Sequence, residues 1–126
     1  MTKIAIIGSR DYPNLKQVED YLNELRKLLP CMRIITGGAK GVDQKAESWA
    51  LGWGVECEVI KPLDPSDKLS YLYRNIEIIT KADQIVAFWN GTSRGTKFAI
   101  DYANSRGRFV IVKTTNPLSL TRYFNR

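Results

Sequence analysis

Residues 3–8, Lys-Ile-Ala-Ile-Ile-Gly, form a short apolar run that stops at a glycine and leads into Ser9-Arg10. Beyond Lys3 the run offers no polar side chain to face water, so it suits a strand covered on both faces, as in parallel sheets flanked by helices. The same theme recurs along the chain. Asn14, with Gln17 three residues on, marks a helix start, and Val18, Tyr21, Leu22, Leu25, Leu28 and Leu29 follow at helical spacing up to Pro30. Met32 to Thr36 reads as a second strand closed by Gly37 and Gly38. Val42, Ala46, Trp49, Ala50 and Trp53 then fall on one helical stripe that ends near Gly54 and turns its tryptophans inward. Val55 to Ile60 alternates apolar and charged residues, as an edge strand does, and Pro62 and Pro65 precede a helix expected from about Asp67 to Thr80. Gln84 to Trp89 is a fourth strand, Phe98, Ala99, Tyr102 and Ala103 mark a fourth helix stopped by Gly107, and Phe109 to Val112 is a fifth strand.

Five strands alternating with four helices predict a Rossmann-like three-layer α/β/α sandwich, with a mostly parallel sheet of order 3-2-1-4-5. A length of 126 residues without a repeat or linker fits one domain spanning 1–126. The segment from Thr114 to Arg126 is read as either a short helix after Pro117 or a docked arm.

Composition removes several function classes. The chain has no histidine, which excludes Ser-His-Asp and Cys-His hydrolases and histidine-ligated zinc. No metal site is expected. Cys31 and Cys57 form no CxxC pair and read as reduced core residues, which fits a cytoplasmic protein. No stretch reaches the roughly 18 apolar residues that cross a bilayer, and the N-terminus enters a strand without a signal-type region, so no membrane association or export is expected. The net charge of +6 is concentrated late: after Asp101 come Arg106, Arg108, Lys113, Arg122 and Arg126 with no acid. These charges are spread out, which suits a solvated surface better than a phosphate-tracking stripe, and nucleic acid is the less favoured partner.

Glycine-rich turns follow strands 1, 2 and 4: Gly8-Ser9-Arg10, Gly37-Gly38-Ala39-Lys40-Gly41 and Gly91-Thr92-Ser93-Arg94-Gly95-Thr96. In the order 3-2-1-4-5 these strands are neighbours, and the three turns converge where the winding direction reverses. Glycine lets main-chain amides approach an anion, and a following helix presents unpaired N–H groups. Arg10, Lys40, Arg94 and Lys97 add charge; Ser9, Ser93 and Thr96 add hydroxyls. The chemistry is that of a phosphate-bearing nucleotide. Asp43 and Glu47 open the second helix one turn apart, either as favourable charge at a helix N-terminus or as a carboxylate that accepts ribose hydroxyls or works as a base. On spacing alone Arg74 and Asn75 read as surface residues of the third helix. The string Gly91-Thr92-Ser93-Arg94-Gly95 matches a nucleophile elbow, yet its histidine is missing, so Ser93 is not expected to be a nucleophile. Neither a P-loop string nor G-x-G-x-x-G is present.

The combination of Gly8-Ser9-Arg10, the stretch from Thr36 to Asp43 with Ala46-Glu47-Ser48-Trp49-Ala50, the Arg74-Asn75 pair and Ala87 to Thr96 resembles the YspA-like branch of the SLOG superfamily over about residues 3–113. The resemblance implies a nucleotide-binding fold similar to that of the LOG phosphoribohydrolases and of DNA-processing protein A. It implies ligand contacts from Gly8, Ser9 and Arg10, from Gly37, Gly38, Ala39, Gly41, Val42 and Asp43, and from Gly91, Ser93, Arg94, Gly95 and Thr96, with Arg74 and Asn75 reaching in from the third helix. LOG enzymes carry a glutamate where this chain has Ala99, and a proline-glycine where it has Trp89-Asn90-Gly91, which argues against hydrolysis by their route. The expectation is therefore a module that binds or senses a nucleotide-derived ligand. The alternatives are an N-glycosidic hydrolase using Asp43 or Glu47, and a DNA-binding domain using the basic C-terminal end. Trp89, Tyr71, Tyr73 and Tyr123 either offer aromatic surface for a homo-oligomer or lie half-buried against the sheet.

Overall fold

In the computed structural model, which describes residues 1–115, period-2 side-chain alternation divides the apolar strands between two cores. Ile4, Ile6, Ile34, Val86 and Phe88 point to one face of the sheet; Ala5, Ile7, Ile35, Ile85 and Ala87 point to the other. Both faces are covered, as the uninterrupted run in residues 4–7 requires. The elements alternate throughout: β1 (Thr2–Gly8), α1 (Leu15–Leu28), β2 (Met32–Thr36), α2 (Val42–Trp53), β3 (Glu56–Val59), α3 (Lys68–Lys81), β4 (Gln84–Phe88), α4 (Arg94–Ser105) and β5 (Val110–Lys113).

The sheet order is β3-β2-β1-β4-β5, and every pairing is parallel. Helices α1 and α2 cover the first face through Val18, Leu22, Val42, Ala46 and Trp49, whereas α3 and α4 cover the second through Ile78, Ile79, Ala99, Ile100 and Ala103. Each fully buried isoleucine or leucine contributes roughly 1.5–3 kcal/mol of burial free energy. The winding passes outward from β1 to β2 and β3, then returns through α3 to β4 on the other side of β1. The reversal leaves a crevice outside the carboxyl ends of β1 and β4, where Gly8 lies level with Phe88.

Local capping matches the sequence reading. Asn14 accepts the Gln17 N–H, Asp67 accepts the Leu69 N–H, and Gly54 takes the left-handed conformation that ends α2. Four expectations are corrected. Cys31 is exposed rather than in the core, because β2 starts one residue later and the preceding turn lies at the solvated amino edge of the sheet. Leu28, in the last position of α1, is 77% exposed. Trp53, at the end of the α2 stripe, has drifted beyond the core and is half-exposed, with the Arg26 guanidinium 4.2 Å from its ring centroid. Phe109 precedes β5 and is exposed. The readings of the segment after residue 115, including Tyr123, Arg122 and Arg126, lie outside the described residues. Among the described residues, no helix is long and apolar enough to cross a membrane.

Candidate functional site

A cavity of about 780 Å³ opens at the carboxyl edge of the sheet, between the N-terminal turns of α3 and α4. The volume lies within the roughly 300–1,000 Å³ typical of small-molecule sites. Its walls come from the β1–α1, β2–α2 and β4–α4 loops and from one side of α3.

Ser9 and Asn90 join the first and third loops. Buried Ser9 donates its N–H to Phe88 O at 3.0 Å, and its Oγ accepts the Asn90 N–H at 3.0 Å. The Asn90 amide donates to Asp11 Oδ1 at 2.6 Å, while its Oδ1 accepts the N–H groups of Thr92 at 2.9 Å and Ser93 at 2.8 Å. Asn90 thus sets the turn from which α4 begins, and Gly91 follows at φ +89°. Ser93 is the N-cap, its Oγ 3.5 Å from the Thr96 nitrogen and 3.2 Å from Thr96 Oγ1. Trp89 fixes this cap by donating its indole N–H to Ser93 O at 3.0 Å.

Arg74 organises the second loop from α3. Its Nη1 donates to Gly37 O at 2.5 Å and Ile60 O at 3.3 Å, and its Nε donates to Asn75 Oδ1 at 2.9 Å. The surface reading of Arg74 from spacing is thereby corrected: it is buried, because two carbonyls at the ends of neighbouring strands need a donor. Asp43, at the start of α2, is 5% exposed and accepts the Ala39 N–H at 3.2 Å through Oδ2. Burial pushes its pKa up to about 6, against the opposing influence of the Ala39 N–H, the Arg74 charge, Thr36 and the Gly37 amide. The Thr36 hydroxyl is close enough to favour the charged form but does not meet hydrogen-bond geometry: neither Thr36 Oγ1 nor Asp43 Oδ1 has a partner among the described residues.

The glycines of the three turns differ in what requires them. A Cβ on Gly8 would stand 2.6 Å from Phe88 O and from Val42 Cγ2, and one on Gly37 would stand 2.5 Å from Arg74 Nη1. Gly38 and Gly41 have φ of +74° and +80°, and a Cβ there would meet Val59 and the Arg10 carbonyl respectively. These glycines serve close packing of the loops, and Gly91 serves its turn. Gly95 is different. Its φ is ordinary, a Cβ on it would meet nothing within 4 Å among the described residues, and it lines the cavity.

The family model described as "YspA, cpYpsA-related SLOG family" matches residues 2–63. The Gene 61 protein of Mycobacterium phage D29 is 34% identical, over 88% of this chain and 95% of that protein. The chain belongs to the YspA, cpYpsA-related SLOG family. Several solved structures share its fold, among them two of DNA processing protein A. DNA processing protein A (DprA) of Streptococcus pneumoniae superposes with a TM-score of 0.81 at 20% identity, over 99% of this chain and 55% of that one, so the chain spans about half of that protein. DNA processing protein A from Helicobacter pylori, described for its single-stranded DNA binding mode, gives a TM-score of 0.71 at 24% identity over 88% and 64% of the two chains.

Of the residues this SLOG resemblance points to, Gly8, Arg10, Ala39, Asp43, Arg74, Asn75, Ser93, Gly95 and Thr96 line the cavity. Ser9, Gly37, Gly38, Gly41, Val42 and Gly91 do not; they pack or shape the loops behind it. Arg94 and Glu47 are exposed and do not line it; the Glu47 charge acts on Cys57 instead, the second influence after burial in raising that thiol to about 11. Lys97, expected to face an anion, is paired with Asp101 at 2.6 Å. Trp89 is buried, which removes it from the aromatic surface, while Tyr73 is 68% exposed. The sequence reading missed Asp11, Lys68, Tyr71 and Asn90, which also line the cavity, as does Thr92 of the third glycine-rich turn. Only Asn90, directly before Gly91, carried a local signal, that of a side chain that folds back on its own turn.

Proposed function

We propose that the chain is a nucleotide-binding module in which the first turn of α4 holds a phosphate and Asp43 accepts a ribose hydroxyl. The observation that carries this reading is Asp43, a buried carboxylate among the residues that line the cavity, whose Oδ1 is in hydrogen-bond geometry with no donor among the described residues. An unsatisfied buried acceptor costs about 1–3 kcal/mol or more, and a ligand hydroxyl offsets that cost. Gly95 supports the phosphate assignment: nothing among the described residues requires the absence of a side chain there, whereas a phosphate approaching the main chain does. Ser93 and Thr96 add hydroxyl donors on the same wall, Arg10 and Arg74 supply positive charge, and Ala39, Asn75 and Gly8 complete the enclosure.

Binding is a stronger reading than hydrolysis. Glu47 stands away from the cavity and Ala99 occupies the place of the LOG glutamate, so that of the two carboxylates the hydrolytic reading offered as alternatives only Asp43 lines the cavity. The test is calorimetry and thermal melting with the four ribonucleoside 5′-monophosphates, their 2′-deoxy forms and inorganic phosphate. A ribonucleotide at about 100 times its Kd should stabilise the fold by roughly 2.7 kcal/mol. Asp43→Asn should weaken the preference for ribose over deoxyribose. If neither nucleotide nor phosphate shifts the melting temperature, the reading is wrong.

A further inference from the structure

The cavity's cations stand apart from its amide cradle. Gly95 and the hydroxyls of Ser93 and Thr96 belong to the α4 wall, whereas Lys68 and Arg74 belong to α3 and Arg10 packs against that same helix. The Arg10 and Arg74 guanidinium carbons lie 5.8 and 5.5 Å from the centroid of one Tyr71 ring, and Tyr71 is fixed by donating its hydroxyl to Pro65 O at 3.0 Å. Two guanidinium groups on one ring repel each other; after burial, the main cause, the Arg10 charge lowers the pKa of Arg74. Asp43 compensates Arg74. Arg10 and Lys68 are in no ion pair among the described residues, and neither are the exposed Lys40, Lys61 and Arg94; what sets Arg10 and Lys68 apart is that both line the cavity.

A phosphate seated on the first turn of α4 leaves that second group of charges uncompensated. Resting on the nucleotide reading above, we infer that the ligand carries two phosphates on opposite sides of its sugar, one at α4 and one between Arg10 and Lys68, with the sugar over Asp43. That is the chemistry of a nucleoside 3′,5′-bisphosphate, found in free bisphosphorylated nucleosides and at the 5′-phosphorylated end of a single strand. A 5′-diphosphate carries both phosphates on one side of the sugar.

The experiment is calorimetry on the full chain with the 5′-monophosphate, 5′-diphosphate and 3′,5′-bisphosphate of each common ribonucleoside. A 5′-phosphorylated single-stranded ribo-oligonucleotide is the fourth probe. For at least one base the bisphosphate should bind about tenfold or more tighter than either of the other two nucleotides, the worth of one charge-assisted hydrogen bond. Lys68→Ala should reduce that ratio towards one, and Lys68→Arg should restore it. An oligonucleotide that binds more tightly than the bisphosphate identifies a strand end as the source; one that binds equally or more weakly identifies the free nucleotide. Equal affinity for mono- and bisphosphate, or a bisphosphate preference indifferent to Lys68→Ala, overturns the two-phosphate inference while the nucleotide site stands. No binding by any probe overturns both.

Discussion

Gly95→Ala separates the needs of the fold from those of a ligand, because the two push in opposite directions. Gly95 occupies the first turn of α4, with an ordinary φ and open space where a Cβ would stand. In a helix interior, glycine is about 1 kcal/mol less favourable than alanine, chiefly because it leaves the unfolded chain more freedom. In a first turn roughly half of that applies, so the unliganded variant should be more stable by about 0.5 kcal/mol. For a domain of this size that corresponds to a melting temperature about 2 °C higher. The nucleotide, in contrast, should bind at least about tenfold more weakly, because the added methyl stands where an anion approaches the main chain. Urea denaturation gives the first quantity and calorimetric titration with the best-binding nucleotide gives the second. A variant less stable than the parent would show that the space at Gly95 is already used by the protein. Unchanged nucleotide affinity would remove the argument that its missing side chain serves a ligand.

Gly37→Ala should destabilise the protein by about 1–3 kcal/mol, since its methyl displaces the buried Arg74 guanidinium from the Gly37 carbonyl. Repeated in an Arg74→Ala background the same change should cost much less, and additive losses in denaturant melts would refute the coupling. Folding raises the Asp43 pKa from 3.8 to about 6, so the folded state binds this proton more tightly than the unfolded chain does. The parent should therefore gain stability relative to Asp43→Asn as the pH falls from about 7 to about 4; a difference that stays flat across urea melts in that window would contradict the burial of the carboxylate. Nucleotide affinity should fall over the upper part of the same window, because a protonated Asp43 loses acceptor strength, and calorimetry at matched ionic strength reads it.

The sequence alone determined the order of elements and the sheet. Strand burial follows period-2 alternation and capping follows one or two side chains, so local patterns sufficed for the elements; the doubly wound order that places β1 between β2 and β4 was read with the glycine-rich turns after those strands and the family resemblance. Three convergent turns were legible for the same reason. Their division of labour was not. Nothing local distinguishes Gly37, whose missing Cβ admits an arginine from another element, from Gly95, whose missing Cβ admits no atom of the described residues. Spacing made Arg74 a surface residue, and only the packing of α3 against the ends of β2 and β3 gave it carbonyls to hold. Trp53 and Cys31 failed the opposite way: their patterns said core, but the sheet ended before it reached them. Periodicity reports which face of an element is apolar; which side chains meet across elements depends on distances set only once the layers have closed.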